Sequence, residues 1–102
     1  MEDIHLAFTR FKIEFPDVFA KYEALGKEIH ENSGPLPEKT RWLLKIVISA
    51  SSGHRRALET HLAKGREAGL NDDEIAHALL LLIQTQGLPT FMSAYEVLRD
   101  LR

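Results

Sequence analysis

The stretch EKTRWLLKIVISASSGHRRALETHLAKG, residues 38–65, decides the fold. Its first half is apolar on almost every side, since Lys45 and Ser49 are the polar breaks between residues 42 and 50. A helix of this composition is normally enclosed on several faces by other elements. The second half follows the turn residues SSG, spaces its apolar residues as a helix does, and extends to Gly69, a residue suited to a helix C-terminus. The stretch therefore predicts two successive helices, the first of them buried.

The rest of the chain also has helical periodicity. Apolar residues at spacings of three and four predict one helix that ends at Pro16 and a second that begins there and ends at Gly34. Asn71 and Glu74 form a capping-box pattern that opens a fifth helix reaching about residue 86. The second helix is predicted to turn an apolar stripe inward: Val18, Phe19, Tyr22, Leu25 and Ile29. With a last helix after the GLP of residues 87–89, the pattern predicts an all-α fold of about six helices.

Length and composition limit the classes of function. The 102 residues predict one domain, 1–102, with N-terminal helices in 1–34. The 13 basic and 15 acidic residues give no electrostatic footprint for nucleic acid or an anionic membrane. The absence of cysteine excludes disulfides and thiol redox chemistry. Since the sequence has neither a targeting pattern at its start nor an apolar run of about 20 residues, we expect a cytoplasmic protein.

Two of the predicted helices are too apolar for so small a domain to cover. Residues 42–50 and 78–83 are both nearly continuous apolar runs. A short chain has a high ratio of surface to volume, so four amphipathic neighbours cannot enclose both. The sequence therefore predicts a homo-oligomer whose interfaces complete the core.

Several local motifs carry a resemblance to a known family. They are LPEKTR at 36–41, HLAKGREAGL at 61–70, NDDEIAHAL at 71–79 and GLP at 87–89. Across residues 36–98 the chain resembles the carboxymuconolactone decarboxylase family, whose wider group includes the alkylhydroperoxidase D-like proteins. The resemblance implies an all-helical subunit in a ring-like homo-oligomer, a hexamer or a trimer, with no metal or organic cofactor.

The resemblance also transfers family positions onto this chain. In the hydroperoxidase-like branch a Glu, a CxxC pair and a His correspond to Trp42, His54, Ala57 and His61. Without a thiolate and a resolving thiol, a peroxide-reducing cycle of that type is excluded. The decarboxylase branch also lacks the cysteine pair and keeps the His, so residues 53–62 resemble it more closely.

His61 is the candidate catalytic residue. It shares one side of its helix with Leu58 and Leu62, and a desolvated imidazole there would have its pKa lowered toward the neutral form. Such a group can accept a proton or, with an acidic partner, donate one. The alternative is a core histidine that is hydrogen-bonded to a backbone carbonyl or to a buried hydroxyl such as that of Tyr95.

Cations crowd the predicted start of the fourth helix. Arg55 and Arg56 follow His54 there and oppose the helix dipole, so something negative should compensate them. A substrate carboxylate is one candidate. The other is local pairing, either of Arg55 with Glu59 or with acidic residues of a neighbouring subunit.

Three neighbouring features complete the candidate site. Ser51 or Ser52 is the expected N-cap of the fourth helix. Arg41 is either a further carboxylate ligand or a residue on the solvent side of the third helix, and Trp42 is expected to fill the space of the family's acid. The spacing of the histidines argues against a metal site.

Two functions remain open from the sequence. The first is a cofactor-independent, decarboxylase-like protein acting on a small organic acid or lactone. In it His61 donates or accepts the proton, and the candidate ligand-binding residues are Arg55, Arg56, Arg41, His54 and Trp42. The second is a non-catalytic oligomeric binding module of the same fold. The replacement of the family's Glu by Trp42 favours the second.

Overall fold

A computed structural model describes the backbone of residues 2–101 and the side chains of residues 6–101. The described chain forms seven helices and no strand: α1 (Glu2–Glu14), α2 (Pro16–Asn32), α3 (Glu38–Ser52), α4 (Arg55–Glu67), α5 (Asp72–Leu80), α6 (Leu82–Gln86) and α7 (Leu88–Asp100). The all-α prediction is confirmed. None of the described helices is long and apolar enough to cross a membrane.

The predicted fifth helix is interrupted at Leu81. The Leu81 amide donates to the carbonyl of Ala78, 3.2 Å away and only three residues back. This contact tightens the turn between α5 and α6, as a 3₁₀ turn does at a helix end. The prediction of about six helices is confirmed, and the fifth of them is divided into α5 and α6 at Leu81, which keeps helical φ and ψ of −63° and −18°.

Residues Met1–Pro35 form one compact unit. Within it, the Phe19 ring packs edge-on against Phe8 and Phe11, with ring centroids 5.2 and 5.5 Å away. Phe19 is buried, but the other residues predicted to turn inward on α2 are exposed: Val18, Tyr22, Leu25 and Ile29. That part of the prediction was wrong for the single chain. Two paired helices share one face, so a wider apolar stripe is left uncovered.

Residues Leu36–Arg102 form the second unit, which contains α3 to α7. Its largest fully buried side chains are contributed by α3, α4, α5 and α7: Ile46, Leu62, Ile75, Leu79 and Leu98. Each such side chain contributes about 1.5–3 kcal/mol when it leaves water. The packing of α4 against α3 across this core fixes the position of the residues discussed below.

Arg66 joins three helices of this unit. Its Nε donates to Asp72 Oδ1 at 3.1 Å, and its Nη1 donates to the Leu101 carbonyl at 2.8 Å. The side chain of Arg66 is 28% exposed, so these contacts are partly shielded from solvent. They connect the end of α4 to the start of α5 and to the C-terminal end of α7.

Candidate functional site

His61 lies on α4 where that helix packs against α3. Its Nδ1 is 2.8 Å from Ser49 Oγ and 3.2 Å from the backbone oxygen of Lys45. The residue is half-buried, whereas Ser49 is 5% exposed. Both contacts come from α3, so the packing of α3 against α4 sets the orientation of the imidazole.

The aromatic neighbour of His61 is Trp42. The two ring centroids are 5.9 Å apart, with the ring planes tilted by 49°. The Lys45 ammonium lies 5.2 Å from the centroid of the Trp42 ring, within the range of a cation–π contact. Trp42 therefore packs beside the candidate catalytic residue and brings no carboxylate to it.

The hydroxyl beside His61 is not that of Tyr95. Tyr95 stacks on Phe91, with ring centroids 5.5 Å apart. The sequence analysis left open a core histidine that is hydrogen-bonded to a backbone carbonyl or to a buried hydroxyl. His61 contacts a group of each kind, and the hydroxyl is that of Ser49. Ser49 is a functional candidate that sequence reasoning missed. Its signal was a single hydroxyl within the apolar run of α3, because a buried polar group needs a partner.

A cavity of about 170 Å³ opens between α3, α4 and α7. Its wall includes Ser49, His54, Arg55, Leu58, Ser93 and Glu96. His61 is not among the lining residues. Among the described side chains, Ser49 both lines this cavity and contacts the imidazole.

The cations at the start of α4 are partly neutralised within the chain. Arg55 Nε donates to Glu59 Oε2 at 3.1 Å, which is the local pairing considered from the sequence. His54 is the N-cap residue of α4, and its side chain makes no capping hydrogen bond. The expected cap by Ser51 or Ser52 was wrong, because α3 continues through Ser52 and ends at Gly53, which has a left-handed φ of 74°.

Two predicted anion ligands do not line the cavity between α3, α4 and α7. Arg41 is half-buried, and its Nη1 donates to the Leu36 carbonyl at 2.6 Å, so it binds the segment that enters α3. Arg56 is also half-buried. The cavity therefore brings together His54 and Arg55, with His61 behind Ser49. Among the described side chains, no group of three or more His, Asp or Glu is placed to hold a metal ion.

A sequence model of the carboxymuconolactone decarboxylase family matches residues 16–100. The chain belongs to the carboxymuconolactone decarboxylase family. It is 30% identical over 91 residues to the uncharacterized protein MJ0742 of Methanocaldococcus jannaschii, and the match covers 88% of this chain and 86% of that protein.

A solved structure of the same family has the same fold. The crystal structure of apo-lpg0406 from Legionella pneumophila, a carboxymuconolactone decarboxylase family protein, superposes with a TM-score of 0.84 at 20% identity. The match covers 96% of this chain and 87% of that one. The family resemblance drawn from the sequence motifs is thereby confirmed, as is the helical fold that it implied.

Proposed function

We propose that this chain acts on a small organic acid or lactone as a cofactor-independent, decarboxylase-like protein, with His61 as the group that exchanges the proton. The observation that carries the proposal is the 2.8 Å contact between His61 Nδ1 and Ser49 Oγ, because Ser49 also lines the cavity between α3, α4 and α7. A titratable group connected to a partly apolar cavity is suited to acid–base chemistry.

The size of the cavity favours a small ligand. Its volume is about 170 Å³, and an apolar cavity of about 150 Å³ can hold benzene. A five- or six-membered ring therefore fits. A carboxylate on that ring would be held at the wall by Arg55 and His54, against the opposing charge of Glu96.

The proposed reaction restricts the chemistry of the ligand. When the bond to the carboxylate carbon breaks, carbon dioxide leaves and an electron pair remains on the ligand. Without a cofactor, a carbonyl of the ligand itself must take that pair as an enolate, as in a 3-oxo acid or an unsaturated lactone acid. The enolate carbon then takes a proton, and His61 is the proposed source.

Acetoacetate and unsaturated lactone acids test the proposal directly. Release of carbon dioxide is measured for the wild-type protein and for His61→Gln, with His77→Gln on the exposed face of α5 as the control. We expect His61→Gln to lower kcat by about 10²–10⁴, the usual contribution of a general acid, and His77→Gln to leave it unchanged. Equal turnover by His61→Gln and wild type would remove His61 from the reaction.

A binding function without catalysis is the second candidate. It is favoured by Trp42, which stands where the family resemblance places a Glu, and by the pairing of Arg55 with Glu59. Binding of benzoate by the wild-type protein, without turnover of any acid in the panel, is the result that supports this candidate over the decarboxylase. The absence of cysteine argues against a peroxidase activity of the thiol-dependent type.

We also propose that the chain assembles with copies of itself. Apolar side chains on α3, on α5 and at the α5–α6 break are left largely uncovered: Leu44, Ile48, Leu80 and Leu81. Ile48 and Leu81 border one groove between α3 and α6, so the uncovered surface is continuous there. Apolar surface of this kind marks interaction sites, and it supports the homo-oligomer expected from the sequence.

A further inference from the structure

Ser49 lies on the path from His61 to the cavity, so its hydroxyl is the candidate group to transfer the proton that His61 is proposed to supply. The imidazole is not part of the wall of the cavity between α3, α4 and α7, whereas Ser49 is. Ser49 is also the residue whose side-chain oxygen lies 2.8 Å from Nδ1. Ser49 therefore contacts the imidazole and also lines the cavity.

The imidazolium form of His61 fixes the direction of its hydrogen bond with Ser49. Both ring nitrogens of an imidazolium carry a hydrogen, and the Nδ1 hydrogen has two acceptors within reach, Ser49 Oγ at 2.8 Å and the Lys45 carbonyl at 3.2 Å. In that form Nδ1 is a donor toward Ser49 Oγ. Ser49 Oγ accepts from His61, and the hydrogen of its own hydroxyl is available to another acceptor.

The backbone of α3 offers few free acceptors for the hydrogen of the Ser49 hydroxyl. A carbonyl oxygen has two lone pairs. In the helical ladder of α3 the Lys45 carbonyl accepts from the amide four residues on, and Nδ1 of His61 lies 3.2 Å from the same oxygen. A Ser49 hydroxyl bonded back to that carbonyl would therefore compete with Nδ1 of the imidazolium. Ser49 also lines the cavity, where a ligand can accept its hydrogen.

We propose that Ser49 is a further catalytic residue, whose hydroxyl passes a proton from His61 Nδ1 to a ligand in the cavity between α3, α4 and α7. The inference rests on the proposed function, in which His61 supplies the proton. The Ser49 O–H bond breaks as its hydrogen moves to the enolate carbon. The Nδ1–H bond of the imidazolium breaks as that hydrogen moves to Ser49 Oγ. The products are a protonated ligand, an unchanged serine and a neutral imidazole, which solvent reprotonates.

The test compares three single variants and one double variant with the wild-type protein in the assay with acetoacetate and lactone acids. Ser49→Ala removes the hydroxyl, and Thr60→Ala is the matched control, because it removes a hydroxyl from an exposed position of α4 that does not line the cavity. His61→Gln removes the proton source. We expect Ser49→Ala to lower kcat by about 10²-fold or more with little change in KM. We expect the double variant Ser49→Ala/His61→Gln to lose no more kcat than the worse single variant, because the effects of groups that act as a unit are not additive.

Different results separate the relay from the proposed function. If His61→Gln loses activity and Ser49→Ala keeps it, the relay is wrong while the role of His61 stands. If His61→Gln keeps wild-type turnover, or if the wild-type protein turns over no acid in the panel, the proposed function fails and the relay with it.

Further measurements serve as controls for the comparison of variants. Circular dichroism checks the fold of Ser49→Ala. Ser49→Cys, which keeps a proton donor of similar size, is expected to keep part of the turnover, and a folded Ser49→Cys without turnover would contradict the relay. Nitrogen-15 spectra of the histidines in the ligand-free protein report how many ring nitrogens of His61 carry a hydrogen. We expect both at the pH of the assay, as the relay requires, and an Nδ1 without a hydrogen at that pH would overturn the relay.

Discussion

At the scale of single residues, Arg55 has two competing partners. Its guanidinium lies 3.1 Å from Glu59 Oε2, and the same residue lines the cavity between α3, α4 and α7. A carboxylate ligand must therefore compete with Glu59. An exposed pair of this kind is worth about 0.2–1 kcal/mol.

Glu59→Gln is predicted to raise the affinity for a carboxylate probe. Removing the competing charge frees Arg55, so we expect the Kd of benzoate to fall by about two- to fivefold, in line with the strength of such a pair. Isothermal titration or NMR titration measures the change. Glu67→Gln, which removes an equal charge from the exposed end of α4, is the control. An unchanged Kd in Glu59→Gln would mean that Arg55 does not hold the carboxylate.

The candidate site could be predicted from the sequence only in part. The pairing of Arg55 with Glu59 follows from a spacing of four residues on one helix, and the structure contains it. The choice of His61 came from the family resemblance. Ser49 could not be assigned as the partner of His61, because the two residues are 12 apart and meet through the packing of α3 against α4. Helical periodicity fixes which residues share a face, but it does not fix the register between two helices.

At the scale of elements, the start of α5 depends on a reciprocal cap. Asn71 Oδ1 accepts from the Glu74 amide at 2.8 Å, and Glu74 Oε1 accepts from the Asn71 amide at 2.9 Å. We expect Asn71→Ala to lower the free energy of unfolding by about 0.5–2 kcal/mol. Urea denaturation measures the loss. Asn71→Ser, which keeps an oxygen acceptor, should recover most of it, and no recovery would contradict a capping role.

The same cap predicts a dependence of stability on pH. The hydrogen bond from the Asn71 amide, and to a lesser degree the Lys39 ammonium, lower the pKa of Glu74 below its ordinary value of 4.5, against a smaller opposing effect of burial. A carboxyl group with a lowered pKa in the folded protein adds stability above its unfolded pKa and loses it as the pH falls through the folded value. The contribution of Glu74 is therefore present at neutral pH and disappears in acid.

Glu74→Gln isolates this contribution, since glutamine keeps an acceptor for the Asn71 amide and does not titrate. We expect the wild-type protein to lose more stability than Glu74→Gln between about pH 6 and about pH 3. Thermal unfolding of both proteins across that range measures the difference. Parallel pH profiles would show that the cap does not couple to protonation.

The approach of α4 to α3 is set by Gly65. A Cβ at this position would lie 2.9 Å from Leu70 Cδ1 and 3.0 Å from Ile46 Cδ1, and both of those side chains are buried in the core. We expect Gly65→Ala to destabilise the protein by about 1 kcal/mol, because overpacking exceeds the gain in helix propensity. Gly26→Ala on α2 is the matched control, because no atom lies within 4 Å of its new Cβ. It should stabilise by about 0.5–1 kcal/mol, and chemical denaturation of the two variants compares them. A stabilised Gly65→Ala would mean that α3 and α4 are not in tight contact.

Element boundaries were predictable where a local signal exists. The capping box at Asn71 and the start of α2 at Pro16 are each determined by one or two neighbouring residues. The break at Leu81 was not predictable, since it falls within six consecutive apolar residues, 78–83, that carry no turn residue. Tertiary packing decides such a break, and sequence periodicity does not contain that information.

At the scale of the whole molecule, the single chain leaves many large apolar side chains exposed to solvent. Ile48 on α3 is 62% exposed and Leu81, between α5 and α6, is 64% exposed, although their apolar runs also supply the core residues Ile46 and Leu79. Helices that are apolar on all sides are normally enclosed on all sides. We propose that a second copy of the chain packs against this surface.

Ile48→Glu and Leu81→Glu are predicted to dissociate the proposed oligomer. A carboxylate placed in an apolar interface is desolvated without a partner, and this cost weakens association. Light scattering coupled to size-exclusion chromatography measures the mass over a range of concentrations. We expect a multiple of the subunit mass for the wild-type protein and the subunit mass for the two interface variants. Thr60→Glu adds a charge at an exposed polar position on α4 and is the control, which should keep the mass of the wild-type protein. A wild-type protein that stays monomeric at every concentration contradicts the proposal. A wild-type oligomer that survives both substitutions places the interface elsewhere, and the exposed apolar stripe of α2 would then be the next surface to change.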